Sequence, residues 1–329
     1  MDRPQIHVSE DLQAAYHAAL ESCLVVEHEP PGLVVARGAS TLDLLHRMST
    51  NNMTDLEPGH IRTTVLTTAI GRTVDVIHVI RRAEDFLILT SPGRAESVRA
   101  WLGRYIFFND DVVLSEMSNG YHLWGMYGPS ATDEAVAAAG VATAPDSPSC
   151  TIIGESLLWR TEKTFPGLCL LAAGDLHRRA QARWNDRGPG SPQAAAYEAH
   201  RIERGLPAPD REIDEDVIPL EVGLWHLVSF DKGCYIGQEI IARMESRSRI
   251  ARQLTGVRLE TLVSAPQDIE QADAPVGRLT STAFSPRLGP IGLGLVRSAL
   301  LQQSPTEVRL APSGVRATLL PLPLDPPAS

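Results

Sequence analysis

The sequence predicts an α+β protein of two or three lobes that ends in a small lobe of β-strands. The chain has 329 residues, more than a single hydrophobic core usually serves. Helical periodicity and strand-like runs are mixed along the chain as far as residue 250. Beyond that point the helical periodicity disappears, and short apolar runs broken by Pro and Gly remain, which is typical of a small barrel or sandwich.

The first elements follow from local patterns. Residues 11–23 place apolar side chains on one side of a helix, and Ser40 with Asp43 forms a variant of the capping box before a second helix. Two runs joined by Gly71 and Arg72 predict a hairpin. The predicted strands as far as residue 172 are 33–37, 61–68, 73–80, 85–90, 111–115, 121–127, 151–160 and 167–172, and the further helices begin at Ser91 or span 130–139, 175–184 and 193–204.

The second half is punctuated by Gly and Pro. The stretch RGPGSP at 187–192 predicts a turn or linker, and the Pro-rich residues 321–327 predict a frayed tail. The strands expected in the last lobe lie near 253–260, 275–284, 291–296, 307–310 and 315–320.

Composition narrows the classes of function. The formal net charge of −10 argues against a general polyanion binder, so nucleic acid is not an expected partner. The start of the chain predicts no secretory signal, and no apolar run reaches the ~18 residues of a membrane span. Lys163 and Lys232 are the only lysines, so Lys232 is an ammonium in a chain that otherwise uses guanidinium groups.

The cysteines predict neither zinc nor an iron–sulfur cluster held by the chain. Cys23, Cys150, Cys169 and Cys234 include no CxxC pair and no Cys/His cluster with ligand spacing, and the histidines do not group in that way either. We therefore expect no metal site, and a reduced protein in the cytoplasm.

The densest motif is DKGCYIGQE at residues 231–239. Apolar residues recur at every fourth position from Ile236, so a glycine-punctuated loop is expected to enter a helix with Cys234 at or just before its first turn. The helix dipole and the Lys232 ammonium would favour a thiolate there. The alternative is a buried structural cysteine beside a helix cap. The supporting members of the motif are Gly233, Tyr235, Gly237, Gln238, Glu239 and, one turn later, Arg243.

The run KGCYIGQE at 232–239 resembles the defining motif of the YgfZ-like folate-binding proteins. These are relatives of the glycine-cleavage T-protein (aminomethyltransferase) that act in making or repairing iron–sulfur clusters. The resemblance spans nearly the whole chain. Its weaker matches are residues 38–45, 50–51, 58–59, 201–207, 219–221, 276–281 and 291–297.

The resemblance implies a cloverleaf of three lobes around a central channel that holds tetrahydrofolate or a one-carbon derivative of it. Residues 1–248 would form the folate-binding, T-protein-like region of two interleaved α+β lobes, with the middle lobe at roughly 112–190. Residues 249–329 would form the C-terminal β-barrel.

The resemblance also assigns candidate folate-binding residues. Glu203 matches the glutamate expected to read the pterin, since a pterin needs a carboxylate that accepts from its amino group and ring N–H. Tyr197 falls where the family carries an aromatic contact, and Asn51 falls in a turn that faces the channel. The plain alternatives are a helix-end carboxylate, a half-buried tyrosine and a turn asparagine.

The chain departs from the T-protein at one acidic pair. That enzyme has a Gly-Gly-x-x-Asp-Asp stretch whose pair includes the catalytic aspartate, whereas this chain has Asp75 followed by Val76. Aminomethyl transfer therefore loses support, although Asp75 remains a candidate residue of the folate site that could act as an acid or base. The plain alternative is a solvated residue on a strand edge. The arginines between 243 and 252 form the one local basic patch, which could hold a polyglutamate tail or a nucleic-acid phosphate, or be only a solvated face.

The leading hypothesis is a monomeric, tetrahydrofolate-binding auxiliary factor for iron–sulfur proteins or their assembly machinery, with Cys234 and Lys232 as its working residues. The resemblance extends this to tRNA modification. The sequence is compatible both with a scaffold and with a folate- and thiol-dependent accessory activity. The alternatives are a folate-dependent aminomethyl- or demethylating one-carbon transferase that uses Asp75, and an interaction module of the same fold that has lost folate.

Overall fold

The fold was analysed in a computed structural model, which describes residues 9–117, 120–161, 165–246, 250–303 and 305–324. The described part of the chain forms two five-stranded antiparallel sheets and a closed six-stranded barrel, which confirms the predicted α+β class with a C-terminal barrel. None of its helices is long and apolar enough to cross a membrane.

The first sheet has the strand order β3-β4-β5-β2-β6. Helices α2 and α3 cover one of its faces, where side chains such as Leu45, Ile77 and Val98 form a buried core. Its strands and helices are β2 (Gly32–Arg37), α2 (Thr41–Met48), β3 (Ile61–Thr67), β4 (Thr73–Arg81), β5 (Phe86–Thr90), α3 (Ala95–Gly103) and β6 (Val113–Glu116).

The second sheet has the order β1-β7-β10-β9-β8 and carries helices α4 and α5 on its outer face. Its inner face packs on the first sheet, where Leu33, Leu89, Trp159 and Leu171 meet in one core. Its elements are β1 (Leu24–His28), β7 (Tyr121–Tyr127), α4 (Ala131–Ala139), β8 (Cys150–Ile153), β9 (Ser156–Arg160), β10 (Gly167–Ala173) and α5 (Gly174–Arg183).

Two helices join the second sheet to the barrel. α1 (Glu10–Glu21) and α6 (Pro192–Arg204) pack on each other and on β1, and α6 also contacts strands β13 and β14. α7 (Gln238–Ser246) then leads into the barrel, whose order is β11-β14-β13-β12-β15-β16. The barrel strands are β11 (Arg252–Leu259), β12 (Gln267–Gln271), β13 (Ala274–Ser285), β14 (Gly289–Arg297), β15 (Thr306–Ala311) and β16 (Arg316–Leu320).

The structure differs from the sequence-based expectations at five places. The helix expected from Ser91 begins at Ala95, because residues 91–93 first form a turn. Strands β1 and β12 were not expected, because each is short and is defined by its partners across the sheet. The single strand expected at 151–160 is a hairpin that turns at Gly154, whose φ of +61° suits a tight turn. The tail is not frayed as far as residue 324, because Leu322 and Leu324 pack on α6 and on the barrel.

Candidate functional site

Cys234 lies in a loop and its side chain is exposed. Helix α7 begins at Gln238, four residues later. The expectation that Cys234 stands at or just before the first turn of the helix is therefore wrong, and since the helix dipole acts only within the first turn, it gives the sulfur little support. The same position excludes a buried structural cysteine, because burial would require the side chain to be covered.

Lys232 is held by helix α2. Its Nζ donates to the backbone carbonyls of His46, Ser49 and Asn51 at 2.6, 2.7 and 2.6 Å. The first of these carbonyls lies in the last turn of α2, where carbonyls lack helical partners. An ammonium has three N–H donors, and three acceptors converging on one point suit it better than a planar guanidinium.

This arrangement changes the expected role of Lys232. Since all three N–H groups are engaged by carbonyls, none is left to donate a hydrogen bond to a thiolate at Cys234. Burial lowers the pKa of Lys232 to about 8, and the Tyr235 ring lies 5.1 Å from the ammonium. Lys232 therefore fixes the start of the motif loop against α2.

The glycines of the motif bring its loop close to neighbouring backbone. Gly237 has a φ of +83°, and a Cβ there would lie 2.5 Å from the carbonyl oxygen of Thr68. Ile236 N–H donates to the Arg47 carbonyl at 3.0 Å. Gly233 faces the His46 ring. The loop that carries Cys234 is thus pinned on both sides.

The last motif residues support helix α7. Gln238 Oε1 accepts from the Tyr235 N–H at 3.4 Å. The pair Glu239–Arg243 lies on the exposed surface with a 2.6 Å contact, as its i,i+4 spacing predicts.

The basic patch expected between residues 243 and 252 is only partly described. Arg252 pairs with Glu221 at 2.9 Å. Arg247 and Arg249 lie outside the described residues, so the basic patch stays a prediction.

Glu203 is buried at the end of α6, between α1 and the barrel. Both of its oxygens accept from Tyr16 Oη at 2.9 Å. Oε1 also accepts from Ser285 Oγ at 2.5 Å, and Oε2 from the Arg287 guanidinium at 3.0 Å. Burial, and then the Glu203 charge, raises the pKa of Tyr16 to about 12. Glu203 is therefore no exposed helix-end carboxylate.

Tyr197 belongs to a cluster of aromatic side chains between α6 and the second sheet. Its ring lies 4.7 Å from His28, 5.1 Å from Tyr127 and 5.8 Å from Phe165. His28 Nε2 and Tyr127 Oη are 2.8 Å apart, and burial lowers the pKa of His28 to about 4. Sequence reasoning missed these partners, because they come from three distant segments.

His200 connects the aromatic cluster with Glu203. Its ring stacks on Tyr16 at 4.1 Å, and its Nε2 donates to the Tyr16 carbonyl at 2.9 Å. Its Nδ1 accepts from the Arg204 guanidinium at 3.0 Å. Burial lowers the pKa of His200 to about 4, in accord with a neutral ring whose nitrogens are both used.

Asn51 and Asp75 lie in the first sheet and its turns. Asn51 Nδ2 donates to the Thr63 carbonyl at 3.0 Å, and the Asn51 carbonyl is one of the Lys232 acceptors. Asp75 accepts from the Ser91 N–H at 3.0 Å and from the Ser91 hydroxyl. Burial raises the pKa of Asp75.

The two faces of strand β4 separate Asp75 from the centre of the molecule. Asp75 and Ile77 lie two residues apart and therefore share one face of β4, and Ile77 packs on the helix-covered side of the sheet. Val76 lies on the opposite face and packs with Val65 and Leu295. Of the two positions that are acidic in the T-protein, the one whose side chain points towards the barrel is therefore the apolar Val76 in this chain.

The structure thus brings the candidate residues into two groups. In the first group Lys232 bonds to the Asn51 carbonyl and to the end of α2, and Cys234 follows Lys232 by two residues in the same loop. In the second group Glu203 and Tyr197 lie along α6 with different neighbours. Asp75 contacts neither group through the bonds that it forms with described residues. Among those residues, no three His, Cys, Asp or Glu side chains are placed to hold a metal ion.

Comparison with known proteins assigns both ends of the chain. Residues 2–144 match the GCVT N-terminal domain, and residues 252–325 match the glycine cleavage T-protein C-terminal barrel domain. Together the two matches cover more than half of the chain.

Relatives and a solved structure agree with these matches. A protein of Arabidopsis thaliana named "putative transferase, chloroplastic" is 28% identical over 83% of this chain, and the match spans 65% of the plant protein. An aminomethyltransferase of Synechococcus sp. is 26% identical over 88% of this chain and 84% of its own. The crystal structure of the glycine cleavage system aminomethyltransferase T of Bartonella henselae superposes with a TM-score of 0.77 at 18% identity, covering 95% of this chain and 89% of that one, which shows the shared fold. The chain belongs to the superfamily of the glycine cleavage T-protein.

Proposed function

We propose that the protein is a tetrahydrofolate-binding auxiliary factor for the assembly or repair of iron–sulfur proteins, with Cys234 as its working thiol. The observation that carries this proposal is the exposed Cys234 on a loop fixed by Lys232, within the motif that resembles the YgfZ-like proteins. The other three cysteines are buried or half-buried.

The residues around Glu203 suit the pterin of a folate. A pterin presents an amino group and a ring N–H side by side, and a carboxylate can accept both. The Glu203 carboxylate is already satisfied, but the Arg287 side chain that donates to Oε2 is 42% exposed. Replacing that guanidinium by pterin N–H groups would leave the buried carboxylate satisfied. The half-buried Tyr197 would supply an aromatic face on the same helix.

The rival function is folate-dependent one-carbon transfer through Asp75. Its carboxylate is buried and occupied by Ser91, on the face of β4 that packs on α2 and α3. This position favours a structural role that joins β4 to the turn between β5 and α3. The named aminomethyltransferase relatives keep the rival open for the protein as a whole.

Folate binding is tested by calorimetric titration with tetrahydrofolate. We expect saturable heat for the wild type and at least about tenfold weaker binding for Glu203→Gln, the loss of one charge-assisted contact. Glu212→Gln is the matched control, since Glu212 is also a buried carboxylate, bound to Arg201, Thr280 and Ser281. No saturable heat would favour the folate-free interaction module, and unchanged binding by Glu203→Gln would remove Glu203 from the site.

The thiol is tested by rescue of iron–sulfur enzyme activity in cells that lack their own factor of this kind. Cys234→Ser should abolish rescue while folate binding and folding are retained. Cys150→Ser is the control, because the Cys150 thiol donates to the Gly59 carbonyl at 3.2 Å and a hydroxyl preserves that bond. Full rescue by Cys234→Ser would refute the thiol role. Formation of methylene-tetrahydrofolate from an aminomethyl donor, lost in Asp75→Asn, would establish the rival function.

A further inference from the structure

A cavity of about 440 Å³ lies on the outer face of the second sheet. Glu27 of β1 and Trp124 of β7 line it from the sheet, Trp184 lines it from the end of α5, and linker residues 185–189, 191 and 192 line its open side. Trp124 packs in the core beneath α4 and α5, whereas Tyr127 of the same strand packs towards α6. The sheet therefore separates this cavity from the aromatic cluster around Tyr197.

Glu27 presents one unused carboxylate oxygen at the cavity. Its Oε1 lies 2.9 Å from His122 Nδ1. Its Oε2 forms no hydrogen bond with any residue that the structure describes. The backbone N–H of Glu27 donates to the Arg187 carbonyl at 3.0 Å, which ties the linker to the strand.

Arg187 places a positive charge at the same cavity. Its side chain is half-buried, and within the described ranges its guanidinium forms no ion pair and no hydrogen bond. In particular it does not pair with Glu27, although both residues line the cavity. A half-buried guanidinium usually finds a partner, and Glu27, although it contacts His122, keeps one oxygen free of hydrogen bonds to the described residues. An unpaired cation beside a partly free carboxylate fits a ligand that carries both signs.

The two tryptophans add a second, independent observation. Trp184 Nε1 donates to Glu134 at 2.6 Å. Trp124 is 1% exposed, and its Nε1–H has no acceptor among the described residues. A buried donor without an acceptor costs about 1 to 3 kcal/mol, which native proteins rarely accept without a reason. The rings lie 5.3 Å apart, and since both are almost fully buried, only their edges reach the cavity.

We propose that this cavity binds a free α-amino acid, whose ammonium group pairs with Glu27 and whose carboxylate pairs with Arg187. The volume falls in the range of small-molecule pockets, and the edges of the tryptophan rings would contact the side chain. This site lies apart from Glu203 and Cys234, so the inference does not rest on the proposed folate or thiol function.

The proposal is tested by calorimetry on the full chain with L-leucine, L-methionine and L-phenylalanine as probes. At least one should bind saturably, and Glu27→Gln and Arg187→Met should each weaken it about tenfold, the loss of one charge-assisted contact. Glu29→Gln and Arg178→Met are matched controls, since both residues are exposed and lie on the same strand end and on α5.

Ligand analogues make the test independent of how well the variants fold. The methyl ester of the bound amino acid lacks the carboxylate charge, so its affinity should no longer depend on Arg187. The N-acetyl derivative lacks the ammonium, so its affinity should no longer depend on Glu27. On the wild type alone, both analogues should bind about tenfold more weakly than the parent. The absence of saturable heat with all three probes in the millimolar range would overturn the proposal, as would parent binding that neither variant nor either analogue weakens.

Discussion

Lys232 and Glu203 are buried side chains of opposite charge, and the protein satisfies them in different ways. The Lys232 ammonium meets three neutral carbonyls at the end of α2 and in the turn that follows, all from one short segment. Glu203 meets Tyr16 from α1 and Ser285 and Arg287 from the barrel side, so its surroundings exist only when distant segments are assembled. Lys232 is thus a fixed local anchor, whereas one donor of Glu203, the Arg287 guanidinium, comes from a side chain that is 42% exposed.

The largest effect should come from removing the anchor. Lys232→Met leaves three carbonyls without their donor, and a buried acceptor without a partner costs about 1 to 3 kcal/mol, so we expect a loss of about 4 kcal/mol. Urea unfolding followed by tryptophan fluorescence measures it. Lys232→Arg keeps the charge but cannot point three N–H groups at one set of three oxygens, so it should recover only part of the loss.

Arg243→Met is the control for the Lys232 variants. Arg243 is exposed and pairs only with Glu239 among the described residues, so its loss should change the free energy of unfolding by less than about 0.5 kcal/mol. If Lys232→Met were as stable as Arg243→Met, the carbonyl contacts would contribute nothing, and the contrast with Glu203 would fail.

The Glu203 side of the molecule should instead be the acid-sensitive one. His28 and His200 have folded-state pKa values lowered by burial to about 4, below the usual value near 6.5. Between these values the unfolded chain binds protons that the folded chain does not. Stability should therefore be full above pH 6.5 and fall towards pH 4, by up to about 3 kcal/mol for each histidine.

Urea unfolding at several pH values between 7 and 4 checks this slope. His28→Gln and His200→Gln should each flatten it, because glutamine does not titrate. His17→Gln is the control, since His17 is exposed on α1. If the free energy of unfolding of both variants fell with pH as steeply as that of the wild type, groups other than His28 and His200 would cause the acid sensitivity.

Local patterns predicted much of the fold, because they are written in neighbouring residues. The hairpin of β3 and β4, the helix expected at 193–204 with its end at Gly205, and the loss of α-helices after residue 250 depend on period and turn residues alone. Strands β1 and β12 could not be found in this way, since each is short and is stabilised by strands distant in sequence.

In the candidate site too, the features that are continuous in sequence were predicted, and the contacts between distant segments were not. The cysteine motif was recognisable because it is continuous in the sequence. The position of the Lys232 ammonium, however, depends on carbonyls about 180 residues earlier in the chain. The sequence alone therefore predicted that the ammonium stabilises the Cys234 thiolate. The partners of Glu203, Tyr16 and Ser285, are separated from it by 187 and 82 residues. No spacing rule joins such positions, so only the assembled lobes reveal them.

The smallest effect on stability should come from Cys234 itself. Its side chain is exposed and the anchor of its loop is Lys232, so Cys234→Ser should change the free energy of unfolding by less than about 0.5 kcal/mol. Iodoacetamide should modify one cysteine of the native chain, and peptide mass spectrometry should locate it at Cys234. Burial raises the pKa of Cys23 and Cys150 to about 11 and that of Cys169 to about 12, so these thiols should react only after unfolding. Equal labelling of Cys23 and Cys234 in the native chain would show that exposure does not distinguish the motif cysteine. Cys234 would then not be a dedicated reactive thiol, even if Lys232 stabilised its loop as strongly as expected.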